Sequence, residues 1–306
     1  MNSTSPTTSE LMLRAYRAHT AVPGFNIPDL PMMTPVVRAL RDTHCFGLIM
    51  VARLEWTKFH AGGIRPIFYE YQKVKDERFT RLHLDHVPVI DEDHLLVDYA
   101  GDIGEAVALG YGSVMVDGSR LPLDENIAAT KRIVDLAHAK GVAVEAELGA
   151  VLGHESGPMP PYEELFASGR GFTDPEEARR FVRESGADWL SVAIGSVHGV
   201  ISEKRTEKKV AARLSIERLD AIREAIDLPI VLHGGTGIRK EYIIESIRHG
   251  VAKINVATAI RQPYEALLKE SPEKAREAVY TETLRVIRED LELEGSADII
   301  HPSRPA

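Results

Sequence analysis

The chain has 306 residues, of which 44% are hydrophobic and 27% are charged, and its formal net charge is −9. The 46 acidic residues outnumber the 37 lysines and arginines, which argues against nucleic acid as a partner because phosphate backbones are bound by basic surfaces. Cys45 is the only cysteine, so an internal disulfide and a cysteine-based zinc site are excluded. The first residues are polar and no apolar run is long enough to span a bilayer, so we predict no membrane partner and a cytoplasmic location.

Eight short apolar runs alternate with longer amphipathic segments. The runs predict strands at 22–27, 46–52, 82–87, 113–119, 142–149, 189–196, 229–235 and 251–258. Apolar residues at three- and four-residue spacing predict helices at 33–44, 102–110, 125–141, 175–186, 215–227 and 239–250. Asp174 followed by Pro175 is typical of a helix N-terminus. This alternation predicts a parallel sheet, and the strand count favours a closed (β/α)8 TIM barrel over a doubly wound open sheet.

We predict one α/β barrel domain over residues 1–306, with a core at about 10–270, a helical C-terminal extension at about 271–293 and a tail at 294–306. Two segments, 53–80 and 150–172, do not fit the alternation. The second carries four glycines and three prolines. We predict that it is an active-site lid, because a long loop inside a compact domain is usually functional or disordered.

Polar or ionisable residues stand at or just after the ends of most predicted strands, although buried parallel strands are normally apolar. In a barrel these strand ends meet at one face, where the catalytic residues of barrel enzymes lie. Burying charges there is costly unless they are paired or bind a metal. The residues expected to converge are Asn26, Asp85, His86, Asp117, Glu145, Glu147, His198, His233 and Asn255.

Three members of this set are histidines, namely His86, His198 and His233. Three neutral imidazoles leave an open position on a divalent ion, which is the arrangement of a catalytic zinc site. A single histidine at a strand end is more often a structural, hydrogen-bonded residue than a ligand. The pattern by itself leaves both interpretations open.

The segment HGGTG (233–237) and the later strand end NVAT (255–258) predict an anion site. Backbone amides freed by glycine can surround an anion, and barrels frequently bind phosphate with the loops after strands seven and eight. A Gly-Gly pair alone is more often only a turn. The sequence lacks a Gly-x-Ser-x-Gly elbow and a Gly-x-Gly-x-x-Gly loop after a strand, which argues against serine nucleophile chemistry and a dinucleotide cofactor.

The carboxylates and one lysine at these strand ends allow several roles. Asp85 directly precedes His86, so alternation predicts that it points to the other side of the pleat or to the rim. Asp117 and Glu147 are expected either to bind a second cation or to orient metal ligands. Lys253 is the one candidate for a Schiff-base lysine inside a predicted strand.

Seven stretches of the chain match one known family in order. They are PGFN (23–26), HLDH (83–86), the block from SVMVDGS to VEAELG (113–149), TDPEEA (173–178), SVAIGSVHGV (191–200), LHGGTGI (232–238) and GVAKINVAT (250–258). On these motifs the chain resembles the class II, metal-dependent ketose-bisphosphate aldolases of the fructose- and tagatose-bisphosphate type. The resemblance implies a TIM-barrel lyase that binds one zinc ion, or another divalent ion, per chain. It also implies reversible cleavage of a ketose phosphate into a dihydroxyacetone-phosphate-like donor and an aldehyde, and a homodimer or homotetramer.

The resemblance also implies roles for individual residues. His86, His198 and His233 match the zinc-binding histidines of the family. Asp85 matches the aspartate that exchanges a proton with the hydroxyl at the cleaved bond. Glu155 falls where the family keeps a glutamate that moves a proton on the donor carbon.

Two further groups of positions follow from the same resemblance. Asp117 and Glu147 match acids that form an alternative or second cation site. The substrate and its phosphate are expected to contact Asn26, Gly199, Gly234, Gly235, Thr236, Asn255 and Thr258.

The sequence departs from the family pattern at positions that are expected to affect which substrate is bound. Val87 stands where the family usually has a glycine, and an insertion follows in PVIDEDHLLVDYAG (88–101). The Tyr-Lys pair that usually follows the second histidine and its glycine is missing, and Ser202 stands near that place; Arg120 replaces a histidine at the rim. These departures leave open an unphosphorylated or acidic keto-sugar as the substrate. A non-catalytic, aldolase-like partner subunit is a third hypothesis, against which the three retained histidines argue.

Overall fold

Eight parallel strands close into a barrel in this computed structural model, which describes residues 5–149, 162–196 and 212–302. Each strand pairs with the next in chain order, and β8 pairs with β1. The predicted (β/α)8 TIM barrel is therefore confirmed, since an open sheet would leave two unpaired edges. The strands are β1 Val22–Asn26, β2 Gly47–Ala52, β3 Thr80–Pro88, β4 Ser113–Asp117, β5 Ala143–Leu148, β6 Trp189–Val192, β7 Ile230–Leu232 and β8 Val251–Val256.

Helices follow the strands and cover the barrel. Every predicted helix is confirmed to within a few residues at its ends, and the Asp174 carboxylate caps its helix by accepting hydrogen bonds from the N–H groups of Glu176 and Glu177. The helices in the described residues are α1 Thr8–Arg17, α2 Met33–Asp42, α3 Arg53–Thr57, α4 Ile64–Val74, α5 Tyr99–Leu109, α6 Leu123–His138, α7 Tyr162–Ser168, α8 Pro175–Ser185, α9 Ile216–Ala225, α10 Lys240–Arg248, α11 Thr258–Leu268, α12 Pro272–Arg285 and α13 Ser296–Ile300.

Helix α1 was not predicted, because its segment was treated only as a polar N-terminus. Thr7 begins it with a capping box, in which the Thr7 hydroxyl accepts from the N–H of Glu10 and the Glu10 carboxylate accepts from the N–H of Thr7. Leu11 and Met12 bury its apolar face in the core. A threonine followed three residues later by a glutamate is the sequence signal that would have identified this start.

The C-terminal region is helical, as predicted. After α12 the chain continues through a π-helix over Val286–Asp290. The predicted tail, 294–306, was expected to carry no element, but it contains α13. Ala297 and Ile300 of α13 are fully buried, and Arg14 of α1 donates to the carbonyl of Ile300.

The barrel core is mainly apolar. Strands β1, β2, β5 and β8 are buried along their whole length, as expected for a parallel sheet covered by helices. His83, Glu145 and Lys253 are fully buried polar exceptions inside the barrel. None of the helices that the structure describes is long and apolar enough to cross a bilayer.

Candidate active site

Strands β3, β4, β5 and β7 bring two histidines and two carboxylates together at their carboxyl ends. The rings of His86 and His233 lie 4.4 Å apart between centroids. Glu147 Oε2 is 3.2 Å from His233 Nδ1 and 3.9 Å from His86 Nδ1, and Asp117 Oδ2 is 3.4 Å from His86 Nδ1. His86, Glu147 and His233 each offer a ligand atom, and these three atoms lie within 4.8 Å of one another.

Glu145 orients the ring of His233 from the side away from this cluster. Its Oε1 lies 3.1 Å from His233 Nε2, while its Oε2 accepts a hydrogen bond from Trp189 Nε1 at 2.7 Å. The Nδ1 edge of His233 therefore faces Glu147. A histidine with one nitrogen on a carboxylate and the other towards further donors is typical of metal ligation.

The donor set fits a divalent transition metal ion. In the part of the chain that the structure describes, four carboxylates, from Asp85, Asp117, Glu145 and Glu147, lie beside one ammonium, from Lys253. A dication would balance this surplus of negative charge, and imidazole with carboxylate is a ligand set that zinc accepts. Burial lowers the pKa of His86, but the Asp117 and Glu147 carboxylates outweigh it and raise that pKa to about 10.

Asp85 faces the interior of the barrel beside His86, so the prediction that it points away from the site or to the rim is wrong. The pairing of β3 with β4 shifts register between Leu84 and Val87, and His86 has a φ of +28°. This irregularity breaks the strict alternation of side chains. Two consecutive residues, Asp85 and His86, therefore reach partners across the barrel.

Three side chains hold the Asp85 carboxylate. Asn26 Nδ2 donates to Oδ2 at 3.0 Å, Asn255 Nδ2 donates to both oxygens at 3.1 and 3.2 Å, and Lys253 Nζ lies 3.4 Å from Oδ1. Burial alone would raise the pKa of Asp85, but the Lys253 ammonium outweighs it and holds that pKa well below its usual range. Asp85 is thus a buried, ionised carboxylate next to the histidine pair.

A buried network under the site was not predicted from sequence. Lys253 Nζ donates to Glu145 Oε2 at 2.7 Å and lies 3.4 Å from His83 Nε2, and His83 Nδ1 lies 2.8 Å from Ser113 Oγ. Carboxylates surround the amine of Lys253, whereas Schiff-base lysines lie beside apolar or cationic groups. Lys253 therefore serves as a counter-ion here, and a Schiff-base role is not supported.

Comparison with known proteins agrees with this geometry. The family model described as fructose-bisphosphate aldolase class-II matches residues 6–298. The chain belongs to the class II fructose-bisphosphate aldolase family. It is an enzyme of the aldolase class, a lyase, which agrees with the resemblance seen in its motifs and leaves no support for a non-catalytic partner subunit.

Solved structures of aldolases share the fold of this aldolase over nearly its whole length. The YdjI aldolase from Escherichia coli K12 is 26% identical, with a TM-score of 0.74 over 96% of this chain and 100% of that chain. A putative fructose-1,6-bisphosphate aldolase from Coccidioides immitis is 25% identical, with a TM-score of 0.75 over 95% of this chain and 98% of the other. The fructose-bisphosphate aldolase from Campylobacter jejuni, 20% identical over 94% of both chains with a TM-score of 0.70, shows the same fold.

The predicted anion site of the aldolase lies on the loops after β7 and β8. Gly234 has a φ of +76°, which favours glycine, and begins a short 3-10 turn over Gly235–Gly237 that includes Thr236. A Cβ on Gly235 would lie 2.7 Å from Ile254 Cγ2 and 3.0 Å from the carbonyl oxygen of Asn255, so no larger residue fits without a shift. Thr258 is the first residue of α11. A glycine-rich turn and a helix N-terminus are both features that suit a phosphate group.

Other sequence-predicted residues have different outcomes. Asn26 and Asn255, expected to contact substrate, hold Asp85, and the buried Oδ1 of Asn255 has no hydrogen-bond partner among the described residues. His198, Gly199 and Glu155 lie outside the described residues.

The insertion after β3 folds back on itself. An isolated antiparallel bridge joins Ile90 to Leu96, and Arg120 donates to the carbonyl oxygen of Asp91. The Asp91 carboxylate lies 3.5 Å from Nη1 of Arg53, the first residue after β2. The insertion is therefore attached to the loops of both neighbouring strands.

Sequence analysis also missed Glu55 of α3. This carboxyl is 7% exposed and lies beside Asn26, with Asn26 Nδ2 3.5 Å from its Oε2. It falls in the segment 53–80, for which no element was predicted. A glutamate three residues after the end of a barrel strand was the available signal.

Proposed function

We propose that this aldolase binds a zinc ion, or another divalent ion, and catalyses the reversible retro-aldol cleavage of a ketose phosphate. The products are a dihydroxyacetone-phosphate-like donor and an aldehyde. The observation that carries the proposal is the cluster of ligand atoms from His86, Glu147 and His233 beside a buried, ionised Asp85. A Lewis-acid site next to a positioned base is what C–C cleavage next to a carbonyl requires.

His86 and His233 would hold the ion, with Glu147 close enough to be a third ligand and His198 proposed from the family resemblance. When bound, a divalent ion supplies Lewis-acid polarisation of the donor carbonyl oxygen. Glu145 keeps the His233 ring in place through Nε2. A second cation site at Asp117 and Glu147 is also proposed from the resemblance. Both carboxylates contact His86, so this site would adjoin the first one.

Asp85 would take the proton from the hydroxyl at the cleaved bond and return it in the synthetic direction. Asn26, Asn255 and Lys253 fix its position and favour its ionised form. Glu155 is proposed to move the other proton, on the donor carbon. Two acids in separate environments allow one to donate while the other accepts.

The donor phosphate is proposed to lie on Gly234, Gly235 and Thr236 after β7 and on Thr258 after β8, with Gly199 as a further contact. The substrate class is tested separately, because the missing Tyr-Lys pair favours a second candidate, an unphosphorylated or acidic keto-sugar. The homodimeric or homotetrameric state, the cytoplasmic location and the single-domain organisation are proposals from the sequence and its family resemblance.

Metal content of the purified protein, measured by elemental analysis, tests the proposal. We expect about one divalent ion per chain and loss of that ion in His233→Ala. His249→Ala is the matched control. His249 follows α10, away from the strand ends, and its Nδ1 lies 2.7 Å from Asp220 Oδ1. Ketoses with and without phosphate are then assayed for cleavage. Absence of metal from the wild-type protein, or cleavage that survives in His233→Ala, would overturn the proposal.

A further inference from the structure

Glu55 is a buried carboxyl at the catalytic end that the proposed reaction does not use. It lies on α3, directly after β2. Its Oε2 accepts a hydrogen bond from the N–H of Ala52 at 2.7 Å and lies 3.5 Å from Asn26 Nδ2. Both of these contacts with described residues are made by Oε2, and neither involves Oε1. One oxygen therefore anchors the side chain, and the other is left for a ligand.

Asn26 joins Glu55 to the proposed base. The same amide nitrogen that approaches Glu55 donates to Asp85 Oδ2 at 3.0 Å. The two carboxyl groups thus lie on either side of one amide. Burial raises the pKa of Glu55 to about 8, so the group is largely neutral at pH 7. A neutral carboxyl both donates and accepts hydrogen bonds, as a hydroxyl group does.

The position of Glu55 assigns it to one half of the substrate. The proposed phosphate contacts follow β7 and β8, whereas Asp85 and Glu55 belong to β3 and to the end of β2. The donor carbons are proposed to lie on the ion held by His86 and His233, and the cleaved hydroxyl on Asp85. Because Glu55 and Asp85 lie on either side of the Asn26 amide, we expect the hydroxyl on the next carbon of the aldehyde half at Glu55.

We propose that Glu55 is a specificity-determining residue whose Oε1 hydrogen-bonds a hydroxyl on the aldehyde half, at the carbon next to the cleaved bond. This inference rests on the proposed aldolase function. It predicts an α-hydroxyaldehyde as the acceptor.

The test compares two acceptor aldehydes in the synthetic direction with dihydroxyacetone phosphate as the donor. Glyceraldehyde and 3-hydroxypropanal differ only in the α-hydroxyl. The measured quantity is the ratio of their kcat/KM values in the metal-loaded wild type, Glu55→Gln and Glu55→Met. Intrinsic aldehyde reactivity and any loss of folded protein cancel when ratios are compared between variants. Glu70→Gln is the control, because Glu70 lies on α4 in an exposed ion pair with Lys73.

We expect the wild type to prefer glyceraldehyde, Glu55→Met to lose about 3- to 10-fold of that preference, and Glu55→Gln to keep part of it because an amide still hydrogen-bonds. Metal content should be equal in all variants. A Glu55→Met ratio equal to that of the wild type, with both rates lowered, would mean a purely structural role and would overturn the inference. If the metal-loaded wild type joins the donor to neither aldehyde nor to any other, the proposed function fails, and this inference with it.

Discussion

Replacing Lys253 by methionine would leave two buried carboxylates without the ammonium between them. Nζ lies 2.7 Å from Glu145 Oε2 and 3.4 Å from Asp85 Oδ1, and none of the three residues is more than 1% exposed. At an effective dielectric constant of about 20, each contact has a Coulomb energy of about 5–6 kcal/mol, which offsets the cost of burying the ions. Removing one partner of a buried pair typically lowers the free energy of unfolding by about 3–5 kcal/mol, and we expect that loss for Lys253→Met.

An exposed pair of the same chemistry provides the control. Lys73 Nζ lies 2.8 Å from Glu70 Oε2 on α4, but these side chains are 69% and 26% exposed. Lys73→Met should therefore cost less than about 1 kcal/mol. The double variant Lys253→Met/Glu145→Gln should recover part of the loss, because it removes one of the uncompensated charges.

Urea unfolding followed by far-UV circular dichroism, with EDTA present to remove metal, measures all four proteins. Equal midpoints and slopes for Lys253→Met and Lys73→Met would refute the reasoning, since the two pairs differ in burial and not in distance. Failure of the double variant to recover any stability would show that the lysine acts through packing instead of charge.

Three further predictions follow from the site and the core. Asp85→Asn should keep its metal, because Asp85 is not one of the proposed ligands His86, Glu147 and His233. Its kcat should fall by about 10²- to 10⁴-fold, and near-normal turnover would exclude Asp85 as the base. Burial raises the pKa of the Cys45 thiol to about 12, so 5,5′-dithiobis(2-nitrobenzoate) at pH 8 should react only after unfolding, and fast native reaction would contradict this. Burial likewise raises the folded-state pKa of Glu55 to about 8, so the wild type loses stability as pH rises from about 5 to 8. With metal removed, the free energy of unfolding of Glu55→Gln relative to that of the wild type should rise by up to about 1.4 kcal/mol per pH unit over this range. A difference in unfolding free energy that is constant with pH would argue against this shift.

The strands were predictable because their signal is local. Each is a short apolar run, most have a polar residue at or just after their end, and all eight runs pair as predicted. Helix α13 escaped prediction for a different reason. It has only five residues and is stabilised by contacts distant in sequence, such as the hydrogen bond from the N–H of Ala297 to the carbonyl of His44.

The directions of the side chains at the site were harder to predict from sequence than the strand ends at which they lie. Alternation along β3 predicts opposite faces for Asp85 and His86, and only the register shift with β4 lets both reach the centre. Glu55 likewise gained a candidate role only when the barrel placed it beside Asn26. A register shift depends on the neighbouring strand, so the residues of β3 alone do not specify it.

The order of amino acids is enough to predict the number and order of the strands, the family, and the strand ends at which polar side chains gather. These depend on hydrophobic pattern and motif spacing, which are local properties of the chain. Which polar groups meet became known only from the folded barrel. Lys253 contacts Glu145 and Asp85, Glu145 contacts His233, and Asn26 lies between two carboxyl groups. Barrel closure brings residues more than 100 positions apart, such as Lys253 and Glu145, within hydrogen-bond distance. Electrostatic energies depend on that distance and on burial, and neither quantity can be obtained from the order of residues.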